Sequence, residues 1–411
     1  MKRQALLVIS GILALGAAGC QTDPWDPIPA ASEDETLAGE TVTVGEDAPP
    51  VKLFVLNEGA VGSNSATLDF FRFTDGKYVR DAYGKMNPEI PFGLGDVGND
   101  IAVDDGKVWM VVNNSGIVEV ADAFNEKHIA TIPVMTPRNI AFDDSFAYVT
   151  SWAGTFVEYN DDHTVKDHLL RKGQLYKIDK HSCKQAAVLD LPGYEPEGIA
   201  VYDGKAYVAL SGGTSSAVTS NYERDVVVVD LASFKVEKTI DVATNLKSVF
   251  SDGKGWIYVT CYGDFYSVHS GLYAFKADGS EPVRHISAPG TNGYVTAAAI
   301  AGDTVWAIGT EDEWDYTAGK VKDYYLFTAR LADGSKSGKR ITDFVHKNPM
   351  AYSLGVIGDG NGDFRYLFVG DQTEWNAPGT LTCYGSDCKK RWSAATGSYP
   401  GHFAFYTPKS K

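Results

Sequence analysis

Basic residues are in short supply: 37 Lys and Arg face 53 Asp and Glu, a formal charge of −16 over 411 residues. A surface of that sign repels phosphate backbones and anionic headgroups, which argues against nucleic acid as a partner. Cysteine is sparse too, with five in the chain, and neither Cys183 nor Cys261 belongs to a spacing that would ligate a metal. The sequence patterns of nucleophilic, zinc and phosphate chemistry are missing: G-x-S-x-G, H-E-x-x-H and P-loop motifs do not occur. Loop carboxylates such as Glu311 with Glu313, or Asp371 with Glu374, read as solvated charge in an acidic chain rather than as glycosidase pairs. His402 offers a base with no accompanying motif. "DGNGD" puts Asp359, Asn361 and Asp363 at calcium-loop spacing but lacks the downstream bidentate acid, and a hairpin turn explains it equally well. A binding protein without catalytic residue, catalytic cofactor or metal is the expectation.

What the chain does have begins with "MKRQALLVISGILALGAAGC". A basic start, an apolar run too short to span a bilayer and small residues before Cys20 have the form of a secretory signal. "AAGC" resembles the bacterial lipobox, which would make Cys20 the lipidated first residue of the mature protein; an ordinary signal cut nearby is the alternative. Residues 21–50 are rich in Pro, acidic and small residues, bury too little apolar surface to offset ordering entropy, and read as a flexible acidic tether. An exported chain can form disulfides, and "TCYGSDCK" sets Cys383 and Cys388 across a short turn, where a bridge is expected unless the two remain thiols.

The remainder, with 44% hydrophobic and 12% aromatic residues over the whole chain, repeats. Seven segments share a turn, a short apolar strand and another turn; the central residues are Ala102, Ala141, Ala200, Phe250, Ala299, Gly355 and Ala404, six of the seven Ala or Gly. Small side chains suit strands crowded around a common axis. A second apolar run follows six of them ("KVWMVV", "FAYVTS", "KAYVAL", "WIYVTC", "TVWAIG", "RYLFVG"), while "KLFVLNEG" at 52–59 has no first strand before it and "HFAFY" at 402–406 has no second strand after it. Pairing these two orphans closes a ring. The chain is therefore predicted to be all-β, a seven-bladed β-propeller over 51–406, closed by its C-terminal strand against the N-terminal blade strands and followed by a tail at 407–411.

With strands A to D running outward from the axis, the B-to-C and D-to-A connections share one face, and the long insertions fall in the B-to-C loops. These loops are rich in aromatic residues, which offer flat apolar surface at low entropic cost. Alignment of the repeats also places Asn99, Arg138, Glu197, Lys247, Thr296, Tyr352 and Gly401 at the start of successive inner strands, a ring of varied polarity at the channel mouth. Varied hydrogen-bonding groups rimmed by aromatics describe a site for a large ligand of mixed polarity.

"LFVLNEG", "SATLDFF", "LGDVGNDIAVDDGKVWMVVNNSG", "TPRNIAF", "LFVGD" and "PGHFAFY" together resemble the YncE-like surface propeller lipoproteins of Bacteroidetes, whose BtuG-type members bind cobalamin. Asp23 and Asp26, soon after Cys20, resemble the signal that exports such lipoproteins to the outer face of the cell. The resemblance implies an outer-membrane, outward-facing lipoprotein that captures cobalamin or a related corrinoid and hands it to a TonB-dependent transporter of the BtuB type. Within that reading, Trp152, Tyr222, Tyr262, Phe265, Trp314 and Trp375 are expected to supply apolar contact, and Asn114, Arg138, Asn139, Tyr294, Tyr352 and His402 polar contact. A glycan-binding lipoprotein is the alternative, and a propeller lyase or hydrolase a more remote one.

Overall fold

The second apolar runs fold as strands that are buried along almost their whole length, as in Lys107–Val112, Lys205–Leu210 and Trp256–Cys261. Their side chains alternate between two covered faces, so a continuous apolar run, not an alternating one, is what the position demands. The first runs are buried at only every third or fourth residue, as in Gly98–Asp104 and Leu246–Ser251, because one side borders the axial channel. Outer strands such as Lys235–Asp241 are largely exposed.

The structure, a computed structural model, describes residues 35–36, 51–286, 294–310, 324–331, 335–341, 351–359, 363–372 and 377–408. Its strands form seven antiparallel sheets of A-B-C-D order, a seven-bladed β-propeller. Blade 1 comprises Gly98–Asp104, Lys107–Val112, Ile117–Asp122 and His128–Pro133. Blade 2 comprises Pro137–Phe142, Phe146–Ser151, Lys172–Asp179 and Lys184–Tyr194, with a separate hairpin, Phe156–Tyr159 with Val165–Leu169, inserted between its second and third strands. The inner strands of blades 3 to 6 are Pro196–Tyr202, Leu246–Ser251, Tyr294–Ala301 and Ala351–Gly358.

Blade 7 joins the two ends of the propeller: Pro400–Tyr406 pairs with Lys52–Asn57, which pairs with Thr67–Arg72 and then Lys77–Val79. Phe54 lies opposite Ala404 and Val55 opposite Phe403, as the two orphan segments required. Glu35–Thr36, from the stretch read as a tether, adds a short fifth strand against Lys77 and Tyr78.

The apolar core is divided into seven clusters, one between each pair of neighbouring blades. Trp109 faces the blade 1–2 cluster while its neighbours Val108 and Met110 face the blade 7–1 cluster. The small central residues lie at these seams. A Cβ on Gly355 would stand 3.0 Å from the Phe403 ring, so blades 6 and 7 approach closely there. The inner turns of blades 1 and 3 use Asp105-Gly106 and Asp203-Gly204, all four at positive φ, the geometry that matches a tight hairpin to strand twist.

The expected disulfide is corrected: Cys383 and Cys388 are both thiols. Strand alternation explains it. Cys383 turns into the blade 6–7 core beside Trp392, whereas Cys388 packs against the blade 5–6 core on the other side of the sheet. Of the calcium-spaced residues, Asn361 lies outside the described residues; Asp359 accepts the Asp363 N–H at 3.0 Å and so closes a turn. Cys20 also lies outside them.

Gly198 is where inner strands approach most severely, since a Cβ there would lie 2.6 Å from the backbone of Lys247, Ser248 and Val249. Replacement by Ala should destabilise the protein by about 2 kcal/mol or more, because only backbone could yield. A lowered urea midpoint is expected for Gly198→Ala; an unchanged midpoint would contradict the close seam between blades 3 and 4.

Candidate functional site at the channel mouth

Strand register sets the site. Pro196 lies opposite Leu210, Leu246 opposite Cys261 and Ala351 opposite Asp371, so the starts of inner strands and the long B-to-C loops share one face. In every blade the inner strand carries one extra residue just inside its start. These β-bulges contain Asn99, Arg138, Glu197, Lys247, Thr296, Tyr352 and Gly401, the ring read from the repeats. A bulge breaks the ladder and re-aims a side chain, which is how an edge of regular sheet becomes a set of converging polar groups. Two bulges recover a backbone partner from the adjacent strand: Thr150 Oγ1 accepts the Asn139 N–H at 2.9 Å, and Thr260 Oγ1 accepts the Ser248 N–H at 3.0 Å.

Arg138 Nε donates to Glu197 at 3.1 Å, and its guanidinium lies 4.4 Å from the centre of the Trp152 ring. Burial works against the Arg138 charge, yet the Glu197 carboxylate outweighs it and raises the arginine's pKa. Burial raises Glu197, against the opposing pull of Arg138. Across the closure seam, Tyr352 donates its hydroxyl to Glu58 Oε2 at 2.8 Å, and His402 Nε2 lies 3.2 Å from Glu58 Oε1. His402 Nδ1 is 3.9 Å from Asp100. Burial first, and then the Glu58 charge, push the Tyr352 phenol well above its ordinary range. Burial likewise raises Asp100, with His402 opposing. Asp100 also holds the neighbouring blade, accepting the Ile140 N–H at 2.9 Å.

Beside this polar floor stands an aromatic group. Phe265 packs edge-on to Tyr222 at 6.4 Å and tilted against Tyr262 at 6.1 Å. Tyr262 is 38% exposed and Tyr266 46%, and Lys247 Nζ stands 5.0 Å above the Tyr262 ring. Lys247 belongs to the ring of bulge residues, so its contact with Tyr262 sets the aromatic group beside the polar floor.

The predicted residues divide accordingly. Arg138, Tyr262, Tyr352 and His402 converge at the mouth, and Tyr222 and Phe265 extend its rim. Asn139 reaches Asp100. Trp152 is buried at 8% exposure under Arg138, a support for the guanidinium. Asn114 donates to Asp96 at 2.5 Å, and Asp96 also accepts the Gly62 N–H, which ties the 57–66 loop to blade 1. Tyr294 begins the inner strand of blade 5, its side chain outside the described residues, as are Trp314 and Trp375. Sequence reading missed Glu58, Glu195 and Tyr399, whose ring lies 5.9 Å from that of Tyr352. Glu58 follows the second strand of blade 7 directly, and comparison with its neighbour His402 in the closed blade was the available signal. Among the described residues no group of three or more His, Cys, Asp or Glu is placed to hold a metal ion, and no helix is long and apolar enough to cross a membrane.

Similarity to known proteins lies in the fold. No protein-family model and no curated protein matches the sequence. Among solved structures, hydrazine synthase from Kuenenia stuttgartiensis superposes with a TM-score of 0.54 at 16% identity, over 76% of this chain and 90% of that one. The Pan2 WD40 domain of Neurospora crassa has a TM-score of 0.46 at 9% identity, over 76% and 80%, and the RRP9 WD40 repeats 0.48 at 8%, over 74% and 81%. The first of these is an enzyme, and at such identity the likeness extends no further than the fold.

Glu195 anchors the loop that carries Tyr222. It is fully buried, and its carboxylate accepts the N–H groups of Thr214 at 2.8 Å and Ser215 at 3.1 Å. Burial pushes its pKa from 4.5 to about 7, with the Glu197 charge adding to the rise. A raised carboxylate favours folding fully below its unfolded pKa, and that contribution is lost as pH climbs through the folded value. The stability of Glu195→Gln relative to wild type should therefore rise from about pH 4.5 to about pH 8, by roughly 3 kcal/mol at most. A pH-independent difference would contradict a buried carboxylate that titrates on folding.

Proposed function

We propose that this protein is a cell-surface lipoprotein that binds cobalamin or a related corrinoid at the channel mouth and passes it to a TonB-dependent outer-membrane transporter of the BtuB type. The observation that supports this reading is the contiguous aromatic group Tyr222, Phe265 and Tyr262 bordering a floor of hydrogen-bonding side chains. A corrin ring is broad and flat with amide groups at its edge. It requires apolar faces to lie on, and donors and acceptors around them, in one preformed concavity.

The floor suits binding better than bond-breaking. Glu197 is engaged by Arg138, Glu58 by Tyr352 and His402, and Asp100 by backbone N–H groups of Ile101 and Ile140. Carboxylates held in this way orient a rim. Asp264, the carboxylate nearest the exposed tyrosines in sequence, accepts three N–H groups of its own loop, from Tyr266, Ser267 and Val268, which leaves it poorly placed for the bidentate hydroxyl contacts of a sugar.

Mixing the purified protein with cyanocobalamin and desalting it should leave a red protein fraction. The double variant Tyr262→Ala, Phe265→Ala should weaken binding by roughly ten- to hundredfold, the loss expected on removing central aromatic anchors. Absence of retained colour at micromolar concentrations would overturn the corrinoid reading, and binding of oligosaccharides in its place would establish the glycan alternative.

A further inference from the structure

Two cations stand at the mouth, and they are not equivalent. Arg138 is neutralised by Glu197. Lys247 extends over the Tyr262 ring at 5.0 Å, and among the described residues its ammonium makes no hydrogen bond or ion pair. It lines a pocket in the seam between blades 4 and 5 with Ser248, Thr260, Tyr262 and Thr296, backed by the apolar wall of Val295 and Ala297. The Thr260 hydroxyl is oriented by accepting the Ser248 N–H, Thr296 donates to the Ile308 carbonyl at 3.2 Å, and the Ser248 hydroxyl is uncommitted among the described residues. Lys247 acts electrostatically on Glu197 without pairing with it, so its ammonium, beside hydroxyls and an apolar wall, is available to an anion that enters the mouth.

We propose that the opening of this narrow pocket, beside Lys247, is an anion subsite of the mouth, taking a phosphate ester carried by a larger, otherwise uncharged ligand. The acidic chain and the neighbouring Glu58, Asp100 and Glu197 repel small free anions, so the phosphate must arrive attached to a body that the aromatic rim holds. A tetrahedral phosphate uses a point-charge ammonium together with the hydroxyls of Ser248 and Thr260 as donors, the Thr296 proton being committed to the Ile308 carbonyl. This deepens the corrinoid reading and rests on it for the identity of the larger body: cobalamin carries one phosphodiester in its nucleotide tail, and cobinamide carries none.

The test compares cyanocobalamin with dicyanocobinamide on wild type, Lys247→Met and Lys247→Arg by titration calorimetry. Methionine keeps the apolar stem over Tyr262 and removes the charge. Wild type should prefer cobalamin; Lys247→Met should lose roughly ten- to hundredfold in affinity for cobalamin alone, and Lys247→Arg should retain most of it. Cobalamin affinity should fall with added salt in wild type and barely in Lys247→Met. Equal loss for both corrinoids, or no loss for either, would overturn the subsite. If neither corrinoid binds wild type, the corrinoid reading fails while the subsite is decided by a second probe. In protein carrying ¹³C-dimethylated lysines, phenyl phosphate should shift the Lys247 resonance and phenol should not; an unmoved resonance would overturn the proposal.

Discussion

Pairing of Pro400–Tyr406 with Lys52–Asn57 is the contact on which the rest of the molecule depends. Without it the blade 7–1 and blade 6–7 cores each lose one wall, since Leu53, Phe54, Val55 and Leu56 are all fully buried and divide between them. Bringing together strands so far apart in sequence carries a loop-closure cost that grows only logarithmically, roughly 5 kcal/mol, comparable to the full burial of two or three large apolar side chains. Closure is therefore well within what this seam can offset, and it leaves no inner strand without a ladder partner.

The same pairing builds the mouth. Glu58 enters from the N-terminal end of the propeller and His402 from the C-terminal end, and their 3.2 Å contact exists only when the ring is shut. Around them the seven bulges turn one residue per blade out of the ladder, so a repetitive scaffold acquires a non-repetitive floor. Burial of Asp100, Glu195, Glu197 and Tyr352 raises the pKa of each. The floor's carboxylates are also engaged, Glu197 by Arg138 and Glu58 by Tyr352 and His402, which favours a ligand bound mainly through hydrogen bonds and flat apolar contact.

Much of this was legible in the sequence because propeller geometry writes itself into local pattern. Strands covered on both faces read as unbroken apolar runs, seam positions as Ala or Gly, and inner turns as Asp-Gly. The mouth ring could be placed by alignment alone, although the bulges that aim it could not, since one extra residue leaves no compositional mark. Glu58 and Glu195 were missed for a related reason: each looks like an ordinary loop carboxylate until tertiary contacts bury it. The disulfide between Cys383 and Cys388 was misread because spacing across a turn says nothing about which face of the sheet each side chain occupies. Trp152 was legible as a mouth aromatic but not as a residue roofed by Arg138.

Hydrogen exchange measured under native conditions at the closing strands tests the central claim most directly. Amides of Leu53–Leu56 and the ladder-bonded amides of Phe403–Phe405 should exchange together and only with global unfolding, matching those of central strands such as Val226–Val229. Rapid exchange of every amide in Phe403–Phe405, with the other blades still protected, would show that the ring stands open and that the mouth is not assembled from the two ends of the propeller.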